Sequence, residues 1–175
     1  VLSSPNKVYV IGIGDDGLES LTGTARQLVD QAEVLLGAER LITAVSNDIA
    51  ERVTVGSDFE DLIAKIEAHS DKQTVLLATG DPLFYGTARY LCDHLGKERF
   101  EVVPHVSSMQ LAFARVKESW DEAYLTNLAN QTLERVVERI RTAEKVGIFT
   151  TEETPPSAVA KAMLDRQIDY FHVYV

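Results

Sequence analysis

Three short segments of this 175-residue chain carry polar side chains, and two of them also contain glycines, as ligand-binding loops commonly do. They are residues 12–17 (GIGDDG), 79–86 (TGDPLFYG) and 103–108 (VPHVSS), and each follows or ends an apolar run. Glycine has no Cβ, so its backbone can turn sharply and approach a ligand closely. The aspartate, histidine and serine side chains of these segments supply charge and hydrogen-bond partners. We therefore expect the three loops to form a small-molecule site.

The first segment has the spacing G-x-G-x-x-G, which taken alone suggests a dinucleotide-binding fold. Two features argue against that interpretation. Asp15 and Asp16 place negative charge where a pyrophosphate needs positive potential, and residues 18–21 delay the next helix beyond the last glycine. Residues 36–38 (LGA) also stand where a ribose-reading acid is expected, so a nicotinamide-dependent reductase is the weakest candidate. An anionic loop favours a cationic or zwitterionic ligand, and a simple turn at a strand end stays open as the alternative.

The second and third segments also contain residues that could merely begin a helix. Asp81 is followed by Pro82, a pair that predicts an N-cap followed by a proline at the first helical position. Ser107 or Ser108 can cap the helix of the third segment. His105 has no acid partner that the sequence reveals, and no G-x-S-x-G elbow is present, so a hydrolytic triad is not supported.

The elements that must position these loops alternate between short apolar runs and helical patterns. Strands separated by helices pair in parallel through right-handed crossovers, so we predict an open α/β sheet. In such a sheet, ligands bind beyond the carboxyl ends of the strands, where all three loops would lie. The predicted strands are 8–13, 34–36, 52–55, 74–78 and 100–103, and the predicted helices are 22–33, 38–45, one capped by Ser57 that runs to His69, and 84–95.

A polar break at residues 118–121 predicts a domain boundary, with an N-terminal α/β domain at 1–117 and a smaller C-terminal α/β domain at 118–175. The last predicted strand stops with the chain, and we therefore expect the second domain to be incomplete at its end. Around and beyond the break, the predicted strands are 124–127, 145–150 and 171–175, and the predicted helices are 107–116, 132–143 and 157–166.

Composition excludes several classes of protein. The 17 Lys and Arg against 27 Asp and Glu give a net charge of −10, which argues against nucleic acid as the main partner. The single cysteine, Cys92, cannot form an internal disulfide, and the four histidines are scattered, so no metal site is predicted. No apolar run approaches the ~20 residues that span a bilayer, and residues 1–6 are too short and polar for a signal peptide. We expect a cytoplasmic protein with no membrane partner.

Taken together and in this order, the loops resemble those of the tetrapyrrole methylase family, which transfers methyl groups from S-adenosyl-L-methionine. The resemblance is carried by the stretches VYVIGIGDDGLESLT, ATGDPLFYGTARYL, VPHVSSMQLAFAR and TPPSAVAKAML, and it covers essentially the whole chain. The second stretch is the most specific, and it is most similar to the branch that methylates C-5 of cobalt-precorrin-7, or of precorrin-6Y in the aerobic pathway. The resemblance therefore implies C-5 methylation of a cobalt-precorrin in cobalamin biosynthesis.

The resemblance also implies a two-domain fold, usually a homodimer, with the cofactor in a cleft between the domains. Because methyl transfer from a sulfonium is an in-line displacement, we expect catalysis to act chiefly by positioning, with Asp15 or His105 in an electrostatic or proton-handling role. By the resemblance, Gly12, Gly14 and Asp15 would line the floor of the site near the substrate. Gly80, Asp81 and Leu83 would hold the methionine and ribose portions of the cofactor. Ser107 and Ser108 would add hydrogen bonds, and Asn127 and Leu128 would contact the adenine side.

Three positions depart from the family pattern. Asp15 stands where proline is common, His105 replaces a glycine, and residues 127–131 (NLANQ) replace a stretch usually written S-L-H-G-R. The last departure removes a histidine and an arginine that would contact an acidic macrocycle. Two alternatives therefore stay open: a methyltransferase for another tetrapyrrole carbon or a non-tetrapyrrole acceptor, and a non-catalytic S-adenosylmethionine-binding module in a complex with a partner that methylates and decarboxylates at C-15.

Overall fold

The computed structural model describes residues 7–14, 16–46, 48 and 50–175. Contacts within the chain cluster into two compact units, Val1–Ser107 and Ser108–Val175. The predicted domain boundary after residue 117 stays a prediction.

The first unit is built on five parallel strands in the order β3-β2-β4-β1-β5. Parallel neighbours need a crossover between them, and the helices between consecutive strands provide it. The predicted open, mostly parallel α/β sheet is confirmed. The strands are β1 (Val8–Ile13), β2 (Val34–Gly37), β3 (Glu51–Thr54), β4 (Thr74–Thr79) and β5 (Phe100–Val103).

Both faces of this sheet are covered. Ile11 and Leu35 belong to one apolar cluster and Val10 and Leu36 to the other, because successive residues of a strand point to opposite faces. All six residues of β1 are buried, which explains why this strand is a continuous apolar run in the sequence. The helices described in this unit are α1 (Gly23–Asp30), α2 (Glu39–Ile42), α3 (Phe59–Ala68) and α4 (Thr87–Leu95).

The strand order determines which loops become neighbours. β1 pairs with β4 on one side, where Gly12 is opposite Ala78, and with β5 on the other, where Ile11 is opposite Val103. The three strands run in the same direction, so the segments that follow them leave one edge of the sheet side by side.

The second unit contains two parallel strands, β6 (Tyr124–Asn127) and β7 (Val146–Phe149), with helices α5 (Ser108–Val116), α6 (Leu133–Ile140) and α7 (Pro156–Leu164). Its core is formed by apolar side chains of α6 and α7, among them Val136, Val137 and Met163. No helix in the described part of the chain combines the length and apolar character that crossing a membrane requires.

Two local predictions are wrong. Residues 171–175 alternate like a strand but form none, because no described backbone hydrogen bond joins them to β6 or β7 and a strand exists only in a ladder. Helix α3 begins one residue later than predicted: the side chain of Asp58, not Ser57, accepts the backbone N–H groups of Glu60 at 2.9 Å and Asp61 at 3.4 Å.

Because that carboxylate satisfies N–H groups that have no partner within the helix, we expect Asp58→Ala to lower the free energy of unfolding by about 1 kcal/mol. Urea denaturation of the purified chain measures the change. The matched control is Ser57→Ala, for which we expect a change within about 0.5 kcal/mol. Equal losses for the two variants would contradict the assignment of Asp58 as the cap.

Candidate active site

The loops that follow β1, β4 and β5 are joined by backbone hydrogen bonds where they leave the sheet. The Gly80 N–H donates to the carbonyl of Ile13 at 2.8 Å, and the His105 N–H donates to the carbonyl of Gly80 at 3.2 Å. The second loop is thus bonded to both of its neighbours. Gly12, Gly80 and His105 consequently lie within contact distance of one another.

Gly12 is the position at which this junction is most crowded. A Cβ at residue 12 would lie 2.0 Å from the carbonyl oxygen of Gly80 and 2.6 Å from the backbone nitrogen of His105. Both contacts are with backbone atoms, which cannot rotate away as a side chain can. Gly80 itself has φ +63°, a left-handed conformation natural to glycine, and a Cβ there would lie 3.2 Å from the Cα of Ser107. Glycine is therefore required where the loops meet.

Gly14 is enclosed by two side chains. A Cβ at this residue would lie 2.6 Å from Cε1 of His105 and 2.7 Å from Oδ1 of Asp16. The Ser20 hydroxyl donates to the same Asp16 oxygen at 2.5 Å. Nδ1 of His105 is buried and has no hydrogen-bond partner among the described residues. A histidine and a carboxylate thus both lie next to one glycine.

Asp16 is absent from the predicted set of site residues. Its sequence position shows only that it adds negative charge to the first loop. That it lies next to Gly14 depends on the turn, in which the Gly17 N–H donates to the Gly14 carbonyl at 3.1 Å. The spacing of Asp16 and Ser20 was the only sequence signal that could have indicated a fixed carboxylate.

Asp81 does not cap a helix, so that prediction is wrong. Its Oδ1 accepts the Leu83 N–H at 2.9 Å, which makes a local turn, and helix α4 begins only at Thr87 with Gly86 as the N-cap residue. Before the helix begins, the chain folds back on Pro82. The Pro82 carbonyl oxygen lies 2.3 Å from the position of a Cβ at Gly86. The same carbonyl accepts the Ala88 N–H. No described hydrogen bond uses Oδ2 of Asp81.

The second loop also presents apolar surface. Leu83 is 55% exposed and Tyr85 is 45% exposed. Tyr85 has φ 53°, in the left-handed region that residues other than glycine seldom adopt. Both side chains stand on a loop whose backbone is held by the turn at Asp81.

The other predicted site residues are distributed as follows. Ser107 is buried at the end of the first unit, and Ser108 is exposed as the first residue of α5 in the second unit. Asn127 and Leu128 lie at the carboxyl end of β6: the Asn127 side chain accepts the Ala129 N–H at 2.9 Å, and Leu128 is buried. Asp15 lies outside the described residues.

Cys92 and the acidic groups do not add a metal or nucleophile site. Cys92 packs against the core of the first unit, and burial raises the pKa of its thiol, so it is protonated at neutral pH. Among the residues described, no group of three His, Cys, Asp or Glu side chains could hold a metal ion.

A polar cavity of about 480 Å³ is present in the second unit, lined by residues 122–125, 139 and 142–145. It lies at the amino ends of β6 and β7, whereas Asn127 is at the carboxyl end. Its cationic side chains already have partners: Arg139 lies 5.2 Å from the centre of the Tyr124 ring, and Lys145 donates to the carbonyl of Ser119 at 2.6 Å. The predicted loops do not form this cavity.

A parallel α/β sheet with loops at the carboxyl ends of three adjacent strands, two of them glycine-rich, followed by a second α/β unit, defines the class of protein. The chain belongs to the tetrapyrrole (corrin/porphyrin) methylase family, whose family model matches residues 7–175, and it is a methyltransferase. The predicted family membership and enzyme class are confirmed.

The chain is similar to two proteins and to one solved structure with named activities. It is 31% identical over 157 residues to the cobalt-precorrin-7 C(5)-methyltransferase of Salmonella typhimurium, covering 90% of this chain and 77% of that protein. It is 29% identical to the precorrin-6Y C(5,15)-methyltransferase (decarboxylating) of Sinorhizobium sp, covering 89% of this chain but 38% of that protein. The crystal structure of a precorrin-6Y methylase from Archaeoglobus fulgidus superposes with a TM-score of 0.71 at 23% identity, covering 90% of this chain and 80% of that one, and confirms the fold.

The crowding at Gly12 generates a stability prediction. We expect Gly12→Ala to lower the free energy of unfolding by about 2 kcal/mol or more, because the added methyl must displace backbone atoms of two loops. The control is Gly23→Ala in α1, where a Cβ would meet nothing within 4 Å. We expect Gly23→Ala to leave stability unchanged or to raise it by up to about 1 kcal/mol. Denaturant titration compares them, and an unaffected Gly12→Ala protein would contradict the close approach of the loops.

Proposed function

We propose that this chain transfers a methyl group from S-adenosyl-L-methionine to C-5 of a cobalt-precorrin, cobalt-precorrin-7 or its aerobic counterpart precorrin-6Y, in cobalamin biosynthesis. The names of the relatives support the acceptor, and the identity extends over 90% of the chain for the Salmonella protein. The observation that carries the proposal is the junction of Gly12, Gly80 and His105. It joins the three loops at the carboxyl edge of the sheet, where this class of fold binds ligands.

The residues of this edge fit the chemistry of S-adenosylmethionine. That molecule carries a sulfonium cation and an amino-acid group, and the described loops contribute the carboxylates of Asp16 and Asp81. The glycines allow backbone N–H and C=O groups to approach a nucleoside closely. We propose that Gly80, Asp81 and Leu83 hold its methionine and ribose portions.

The remaining predicted residues complete the proposal. Ser107 and Ser108 would add hydrogen bonds from the third loop, and Asn127 with Leu128 would meet the adenine side. Gly12 and Gly14 would form the floor near the acceptor. Each of these roles is supported by the match to the family motifs.

Mechanistically, the protein has to align two reactants and exclude water. When bound, S-adenosylmethionine supplies a methyl group and leaves as a neutral thioether. No covalent nucleophile is needed, since in-line displacement gains most from orientation. The turn at Asp81 and the bonded backbones of the three loops provide a rigid frame for that orientation. His105 is the described residue with an ionisable side chain at the loop junction, and we assign it the electrostatic or proton-handling role.

We also propose a homodimer and a separate partner for C-15 methylation and decarboxylation. The dimer is supported by the family motifs. The partner is supported by the Sinorhizobium relative, whose name includes both C-5 and C-15 and of which this chain spans 38%. Analytical ultracentrifugation giving only monomer at micromolar concentration would contradict the dimer. The cytoplasmic location stays a prediction.

The sequence NLANQ at residues 127–131 supports a second candidate function. It lacks the histidine and arginine that commonly stand there in the family. The alternatives are a different acceptor or carbon, or a chain that binds the cofactor without turnover.

For cofactor binding, we expect Asp81→Ala to weaken S-adenosylmethionine affinity more than tenfold, since a carboxylate hydrogen-bonded to ribose or an amino group is a strong partner. Asp81→Asn separates charge from shape, because an asparagine oxygen can still accept the Leu83 N–H and keep the turn. We expect the Asn variant to lose affinity as well, by about tenfold. Calorimetric titration measures both, with the surface variant Asp93→Asn as control, and unchanged affinity for the Ala variant would remove Asp81 from the site.

The acceptor is tested by incubating the chain with S-adenosylmethionine and, separately, cobalt-precorrin-7, precorrin-6Y and other tetrapyrroles. We expect one methyl group to be added to cobalt-precorrin-7 or precorrin-6Y, and NMR of ¹³C-methyl-labelled product to place it on C-5. Methylation of a different carbon or of a different acceptor would favour the first alternative. Cofactor binding with no product from any acceptor would favour the non-catalytic module.

A further inference from the structure

The imidazole of His105 is placed against the first loop with one nitrogen unsatisfied. Nδ1 lies 3.0 Å, and Cε1 2.6 Å, from the point where a Gly14 Cβ would be. The same nitrogen is buried and has no hydrogen-bond partner among the described residues. A buried polar atom without a partner costs free energy, so a state in which it acquires one is favoured.

A carboxylate is close to that nitrogen. Oδ1 of Asp16 lies 2.7 Å from the same point at Gly14, so it is at most 5.7 Å from Nδ1, the total of the two distances of 3.0 Å and 2.7 Å. A hydrogen bond between them needs about 2.8 Å. Asp16 is exposed and the Ser20 hydroxyl donates to its Oδ1, so the contact proposed below requires a rotation about the Asp16 side-chain bonds.

We infer that Asp16 is the positioning residue for His105: in the working site its carboxylate accepts the hydrogen of Nδ1 and thereby sets the tautomer of the imidazole. This inference rests on the proposed function, because the loop junction is the site of methyl transfer. The proton then resides on Nδ1, and Nε2 keeps its lone pair. An imidazole in that tautomer can accept a proton or a hydrogen bond at Nε2, the arrangement in which a histidine acts as a general base.

Gly14 is the residue that permits this pairing. A side chain there would occupy the space between the ring and the carboxylate, as the distances of 2.6 Å and 2.7 Å show. The Ser20 hydroxyl adds a third group, since it donates to Oδ1 of the carboxylate. Histidine, carboxylate and hydroxyl therefore form a chain of hydrogen-bonding groups across the first and third loops once the first contact closes.

The tautomer can be observed directly. Two-bond ¹H–¹⁵N correlation spectra of the full chain with ¹⁵N-labelled histidine report which ring nitrogen carries the proton, and loss of one signal set in His105→Gln assigns it among the four histidines. We expect Nδ1 of His105 to be protonated in the presence of saturating S-adenosylhomocysteine. In Asp16→Asn we expect the proton to move to Nε2, whereas Asp16→Glu should keep it on Nδ1.

Turnover supplies a second readout. We expect Asp16→Asn to lower kcat by about 10- to 100-fold, since a misplaced reacting group costs this much, with KM for the acceptor and Kd for S-adenosylhomocysteine within about twofold. In a His105→Gln background the same substitution should have almost no further effect, because Asp16 acts through His105. Asp30→Asn on α1, an exposed carboxylate beside Arg26, is the matched control and should change none of these quantities.

Three outcomes would overturn the inference. They are an unprotonated Nδ1 in the wild-type chain with S-adenosylhomocysteine, an unchanged tautomer in Asp16→Asn, and an equal loss of kcat with and without His105. A weaker affinity for S-adenosylhomocysteine with an unchanged tautomer would make Asp16 a binding residue and also overturn it. Failure of the wild-type chain to methylate any acceptor would count against the proposed function, and the tautomer comparison would still decide whether Asp16 and His105 pair.

Discussion

The close approach of three loop backbones at Gly12 is the constraint on which the candidate site depends. The carbonyl of Gly80 and the backbone nitrogen of His105 occupy the space that any side chain at residue 12 would need. Two backbone hydrogen bonds hold the same loops together, one to Ile13 and one to Gly80. Because a Cβ is missing, loops from β1, β4 and β5 can be joined directly, without side chains as spacers.

The strand order of the first unit brings the three loops of this junction together. β1 lies between β4 and β5. The loops that begin 67 and 91 residues after the start of the first loop therefore become its neighbours in space. The apolar character of β1 and β4 is needed for the same reason, since a central parallel strand is covered on both faces. Burial of these strands fixes their registers, and the registers align the starts of the loops.

Charge gives the junction its chemical character. The negative charge of the first loop would repel a pyrophosphate and attract a sulfonium cation. Of the acidic pair in this loop, the described member is Asp16, which accepts a hydrogen bond from Ser20 beside Gly14. The sequence showed this residue only as a charge, because a local turn places Asp16 beside Gly14, whereas the pairing of β1 with β5 brings the distant His105 to the same glycine. In the same way, Asp81 has the sequence signature of a helix cap, yet it forms a local turn because the chain folds back on Pro82 before α4 begins.

Local pattern determined most of the secondary structure of this chain. Apolar runs indicated strands such as β1, β2 and β4, and the period of apolar residues indicated the helices, because burial of one face or two faces leaves a direct imprint on residue type. The family motifs were likewise recognisable in the sequence, and one of their glycines, Gly12, stands at a close approach of two backbones. Only the tertiary structure decided that residues 171–175 pair with no described strand, that Asp58 caps α3, and that Asp16 and His105 both lie next to Gly14. Each of these depends on which atoms surround a residue in space, and neither residue type nor local spacing carries that information.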